Sequence, residues 1–172
     1  TVVGGTPAVG TVTLNGVAPA GGLQVDLSST VVGVTVPAKV FVPAGKNIVT
    51  FTATTEPVGS NLEATLIARA NGDQATTTLL VTPVLVSSLT VAPTTVVGGT
   101  SATGTVKLAV APGIDTVVTL SSANPAIASV PASVIVKKGS LTATFTVTTK
   151  KPAAQTVVTL SAVTGGAAKT GT

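Results

Sequence analysis

The chain has 172 residues, a formal net charge of +4, 44% hydrophobic and 8% charged residues, and no Cys, His, Met, Trp or Tyr. Those absences remove disulfides, thiolate metal sites and cysteine nucleophiles, the usual general base near neutral pH and the commonest transition-metal ligand, and most stacking platforms for bases and sugars. In their place stand 33 Thr and 31 Val, whose branched Cβ atoms restrict χ1, disfavour helix and suit a pleated surface, so with 18 Gly and 11 Pro as punctuation the sequence predicts an all-β chain of short strands and turns.

In chain order, Val12 and Leu14 face away from Thr11 and Thr13. Leu23, Val25 and Leu27 alternate with Gln24, Asp26 and Ser28, and Val49, Phe51 and Ala53 alternate with Thr50, Thr52 and Thr54. Ala64, Leu66 and Ala68 alternate with Thr65, Ile67 and Arg69. A period of two over such runs predicts half-buried strands of an antiparallel sandwich. Asn71-Gly72 between two runs predicts a tight hairpin, because both residues tolerate positive φ. Asn15-Gly16 predicts a second turn.

The same pattern then returns. Thr1–Thr6 (TVVGGT) recurs as Thr95–Thr100, and Gly10–Leu14 (GTVTL) recurs as Gly104–Leu108 (GTVKL). Leu27–Ser29 recurs as Leu120–Ser122, Pro37–Val42 as Pro131–Val136, and Thr50–Thr55 (TFTATT) as Thr144–Thr149 (TFTVTT). The offset is 94 residues, with one deletion and one insertion in predicted loops. About seven short strands per unit is an immunoglobulin-like pattern, with Phe51 and Phe145 as the matching aromatic core residues. The sequence predicts two tandem immunoglobulin-like antiparallel β-sandwiches, at 1–83 and 84–172. The motifs GGT, GTVxL, LSS and VPAxVxVxxGxxTxTFTxTT resemble the tandem bacterial Ig-like repeats of large secreted and cell-surface proteins. That resemblance implies an extracellular or cell-surface location and no shared catalytic residues.

The repeat also bears on the termini. The chain starts at Thr1 rather than Met, so it reads as a processed chain or a window of a longer one. Thr172 aligns with Thr78 and Thr1 with Thr95, so the counterpart of Leu79–Thr94 has no second copy. The expectation is that unit one lacks its opening strand and unit two most of its closing strand. An open edge beside an apolar groove invites strand addition. Thr1, Val2, Val3, Ala168, Lys169, Thr170 and Thr172 are the candidate inter-subunit junction, met by a second copy head to tail or by adjoining repeats. Leu79, Leu80, Val81, Pro83, Val84 and Val86 form the candidate inter-domain junction, short and apolar enough to pack stiffly. Residues 1–86 carry a net charge of −1 and residues 87–172 carry +5, which weakly favours head-to-tail contact.

Candidate chemistry is sparse. Glu56 and Glu63 could form a glycosidase pair, but unit two has Lys150 and Val157 in their places, and loop solubility explains them. Asp26, Asp73 and Asp115 do not cluster in sequence as a calcium site requires. Gly98-Gly99-Thr100 lacks the Lys and helix of a phosphate loop. Lys137-Lys138 and Lys150-Lys151 either form a patch for an acidic glycan or guard strand edges. The Thr rows at 50, 52, 54 and at 142, 144, 146, 148 are suited to a solvent-facing sheet. There is no N-glycosylation sequon, and despite a mean hydropathy of +0.67 there is no uninterrupted apolar run long enough for a membrane span. No cofactor, metal, nucleic-acid partner or catalytic residue is expected. The sequence predicts a structural, non-catalytic repeat unit of a bacterial extracellular fibre, stalk or surface protein. An adhesin or carbohydrate-binding accessory module is the alternative.

Overall fold

A computed structural model describes residues 1–172. The chain divides into two compact units, Thr1–Thr82 and Pro83–Thr172, and contains no helix. The first unit holds β1 (Val2–Val3), β2 (Ala8–Thr13), β3 (Leu23–Ser29), β4 (Val34–Thr35), β5 (Lys39–Val42), β6 (Ile48–Thr55), β7 (Leu62–Ala70) and β8 (Asp73–Thr82). Five of these form one sheet in the order β1-β8-β7-β3-β5, and three form the other in the order β2-β6-β4. The second unit holds β9 (Val86–Ala92), β10 (Ser101–Leu108), β11 (Thr116–Ser122), β12 (Ala128–Ser129), β13 (Ser133–Val136), β14 (Thr142–Thr149), β15 (Leu160–Thr164) and β16 (Ala167–Gly171). Its sheets run β12-β14-β10-β9 and β13-β11-β15-β16.

Each unit is an immunoglobulin-like sandwich, because the alternating apolar residues of both its sheets meet in one core. Val12, Val25, Leu27 and Val42 join β2 to β3 and β5, while Val34, Ala53, Ala64, Leu66 and Val81 join β4 and β6 to β7 and β8. In the second unit Val106, Leu108, Val118, Val136 and Ala162 are fully buried. No polar or charged side chain is buried anywhere. The Thr residues of the period-two runs instead take the solvent face, as Thr50, Thr52 and Thr54 do. Burial in this protein therefore carries no polar desolvation cost from side chains.

Asn71-Gly72 closes the β7–β8 hairpin with Ala70 opposite Asp73. Both central residues have positive φ, 51° and 88°, the geometry of a two-residue turn whose twist matches its strands. Asn15-Gly16 has a different use. It lies in a bend of the connection that takes the chain from β2 in one sheet to β3 in the other, so it closes no hairpin.

The two TVVGGT copies build one device twice. Gly5 and Gly99 adopt positive φ (83° and 97°), and their N–H groups donate to the hydroxyls of Thr55 and Thr149, each at 3.1 Å. Those hydroxyls in turn donate to the carbonyls of Thr6 (2.7 Å) and Thr100 (2.6 Å). Gly4 lies so close to the backbone of the following loop that a Cβ there would stand 2.7 Å from the Glu56 carbonyl oxygen. The matching Cβ on Gly98 would stand 2.7 Å from the Lys151 Cα. The repeated motif thus fastens the segment before β2 to the end of β6, and the segment before β10 to the end of β14.

A second recurring contact pairs glycine with phenylalanine across strands. Gly10 is opposite Phe51 and Gly104 opposite Phe145. A Cβ on either glycine would lie 2.2 Å from the tip of the ring. Each ring therefore lies over the bare backbone of its neighbour, an arrangement in which an aromatic covers a strand glycine.

Candidate functional site

The charged residues are dispersed. Asp26 faces Lys39 at 4.0 Å and accepts from the Gln24 amide at 3.1 Å, Asp73 begins β8, and Asp115 is in the other unit. No three acidic residues converge on a metal-sized space. Glu56 follows β6 and Glu63 is in β7 opposite Leu80; both are exposed, and neither makes an ion pair. The lysine pairs 137–138 and 150–151 flank β14 at its two ends. An eight-residue strand spans roughly 26 Å at the usual rise, so the pairs form no single patch.

One of those lysines has a local task. Lys137 Nζ donates to Asp115 Oδ2 at 2.8 Å, and the Lys138 backbone N–H donates to Oδ1 at 2.9 Å. These bonds, with the Lys137 charge, hold the Asp115 carboxyl below its ordinary pKa. A depressed folded-state pKa contributes stability above the unfolded value, and that contribution is lost as pH falls through the folded one. Asp115→Asn is therefore expected to lower stability slightly at pH 7. The gap between variant and parent should close by about pH 2, below the carboxylate range. Thermal unfolding at both pH values checks this. An equal gap at both would show that the carboxylate charge contributes nothing.

The distinctive site is an edge. In the second unit the outer edge of β10 is paired with β9, in the register Thr103–Ala92, Gly104–Val91, Thr105–Thr90 and Val106–Leu89. In the first unit β2 is the equivalent strand, 94 residues earlier, and nothing pairs with its outer edge. The core-facing residues record the difference. Ala102, Gly104 and Leu108 are buried, whereas Ala8, Gly10 and Leu14 are partly exposed. Ala162 is fully buried, whereas Ala68 is not. Between β2 and β8 lies a groove of about 220 Å³ walled by Val12, Leu27, Phe51, Leu66, Ala68 and Ala75.

The converse holds at the other end of the fold. In the first unit Val2 and Val3 pair in parallel with Val81 and Thr82. In the second unit Val96 and Val97 have no strand partner, and Val97 is 78% exposed. A groove of about 350 Å³ runs there past Val96, Ala102, Val147, Val158 and Thr172.

Thr1 precedes β1, Val2 and Val3 pair within their own unit, and β2 is the strand left at a sheet edge. The reason is that Val2–Val3 follow the β8 side of the sandwich, while the strand matching β9 would follow the β2 side. Ala168, Lys169 and Thr170 pair with Val163, Ala162 and Ser161, and Thr172 follows at the lip of the second groove. Leu79, Leu80 and Val81 belong to β8 opposite Ala64, Glu63 and Leu62. Pro83 follows β8, Val84 is buried, and Val86 is buried in β9 opposite Leu108.

Compared with known proteins, the chain matches no family model and no curated protein. Among solved structures it is similar to the D0-D1 domain of intimin, at 14% identity and TM-score 0.43, over 100% of this chain and 92% of that one. It is similar to the D00-D0 domain of intimin at 16% identity and TM-score 0.42, over 97% of each. It is also similar to invasin, described as a bacterial integrin-binding protein, at 15% identity and TM-score 0.43, over 96% of this chain and 38% of that one. None of these similarities assigns a role to a residue of this chain.

Proposed function

We propose that this chain is a structural, non-catalytic repeat unit of a bacterial extracellular protein, part of a stalk, fibre or surface array. The observation that carries the reading is what the two repeats share. They share the Gly–Thr fastening, the Gly–Phe contact and the buried Val and Leu positions. They do not share their charged residues: Glu56 is replaced by Lys150 and Glu63 by Val157. A family of units selected for packing keeps its core and lets its surface drift. A unit selected for chemistry keeps a polar cluster, and no buried polar side chain exists here to serve as one.

The bacterial surface setting follows from the resemblance of these motifs to tandem bacterial Ig-like repeats. Joining is head to tail, through strand pairing at the open edges or through the same segment in a longer array. An apolar, nearly uncharged interface suits this, since area burial yields a stable contact only when polar costs stay small. Electron microscopy of the native material on intact cells tests the reading. Linear objects with one bead per unit support it. A compact particle, or a protein confined to the cell interior, overturns it.

A further inference from the structure

We propose that Asn15 is a site of spontaneous modification, its side-chain amide converting to a mixture of aspartate and isoaspartate while the protein stays folded. The reaction needs only water. The Gly16 backbone nitrogen attacks the Asn15 Cγ, its proton leaves with the amide as ammonia, and a cyclic imide closes. Water then opens the ring. Attack at Cγ breaks the new bond and gives aspartate; attack at the main-chain carbonyl carbon breaks the original peptide bond and gives isoaspartate.

The chain has five asparagines, and their neighbours divide them. Asn124 precedes Pro125, whose nitrogen carries no hydrogen to lose. Asn47 precedes the β-branched Ile48 and Asn61 precedes Leu62, so a side chain crowds the attacking nitrogen. Only Asn15 and Asn71 precede glycine. Asn71 is locked by its turn, at φ 51° with Ala70 and Asp73 paired on either side of Asn71-Gly72. Ring closure there must rotate a peptide that the hairpin holds.

The Asn15 bend is built differently. The Leu14 N–H donates to the Asn47 carbonyl at 2.8 Å and the Ala18 N–H to the Lys46 carbonyl at 2.7 Å. Between those two pins residues 15–17 are exposed and belong to no strand, and the Gly16 N–H has no backbone acceptor. The second repeat shows that this openness is a property of the bend. The matching residues Ala109, Val110 and Ala111 are exposed too, and the Val110 N–H is equally free, although β9 lies alongside β10 there. The bend is therefore open whether or not a strand lies beside β2. Either product adds a negative charge to residues 1–86, which carry −1 before the change.

Gly16→Ala is the test variant. A Cβ at Gly16 would meet nothing within 4 Å, and its φ is not positive, so alanine fits the bend while crowding the attacking nitrogen. The full chain is aged in mildly alkaline buffer and digested with trypsin, which places the two Asn-Gly pairs in separate peptides, 1–39 and 70–107. Mass spectrometry reads the change of amide to acid, and methylation by an isoaspartyl methyltransferase reads isoaspartate. Asn15 should convert roughly tenfold faster than Asn71, the factor that a modest local opening cost imposes. Isoaspartate should form at residue 15, and Gly16→Ala should suppress conversion there without changing it at Asn71. In urea, with the hairpin gone, the two sites should convert at matching rates. Conversion of Asn71 as fast as Asn15 in the folded chain, an intact Asn15, aspartate without isoaspartate, an undiminished rate in Gly16→Ala, or the same preference for Asn15 in urea would each overturn the proposal. The site does not depend on the array reading above, and its failure leaves that reading untouched.

Discussion

Phe145→Ala is expected to destabilise the second repeat by about 3–5 kcal/mol, the usual cost of emptying a core aromatic site. Phe145 is 8% exposed. Its ring lies over Gly104 and has β9 on the far side, with Val91 opposite that glycine. Alanine leaves a cavity whose floor is a glycine, with no side chain to fall into it. Phe51→Ala should cost distinctly less in the first repeat. Phe51 is only half-buried and lines an open groove, so water already reaches part of its surface. Neither repeat contains Trp or Tyr, so calorimetry or hydrogen exchange resolved by residue is the measurement. Equal losses in the two repeats would show that β9 contributes nothing to burial of the ring.

Leu89→Asp is the second large effect. Leu89 is 5% exposed and opposite Val106, itself fully buried. β16 passes so near that a Cβ on Gly171 would stand 2.7 Å from the Leu89 carbonyl oxygen. Truncation of such a leucine alone costs about 2–5 kcal/mol. A carboxylate cannot remain in that site without a partner, because its desolvation would exceed any contact it makes. The strand is therefore expected to leave the edge. Amides of β9 and of the outer edge of β10 should lose exchange protection together, and the second repeat should come to resemble the first. The first repeat should keep its own transition. A variant that lost stability while β9 stayed protected would show that the strand is held by backbone pairing alone.

The strands and their inward faces are legible in the sequence because alternation is a local property. Val49, Phe51 and Ala53 point inward on any antiparallel sheet that buries one side. The Asn71-Gly72 turn is legible for the same reason: its φ requirement is met within two residues. The Gly10–Phe51 contact is not local. It depends on the register between β2 and β6, which comparison of the repeats alone does not supply. The TVVGGT motif is visible as a repeat, but its meaning lies in the Thr55 hydroxyl, reached only once β6 is in place. The open edge was harder still. Counting residues against the repeat says that the counterpart of Leu79–Thr94 has no second copy, but not that its neighbour in the sheet is β2, while Val2 and Val3 pair with Val81 and Thr82. Which side of a sandwich a terminal strand joins depends on the packing of both sheets, and no spacing in one chain records it.

The parallel pair of β1 and β8 has a mechanical consequence. β1 and β8 lie side by side in the first repeat, with Val2 beside Val81, Val3 beside Thr82, and the Gly4 N–H donating to the Thr82 carbonyl at 2.9 Å. Tension applied between Val2 and Thr82 loads these two strands along their own axis. It slides them past each other lengthwise, straining their hydrogen bonds together instead of unzipping them in turn. A patch of two residue pairs, small in the energy of the resting fold, thereby resists such a pull as a single unit.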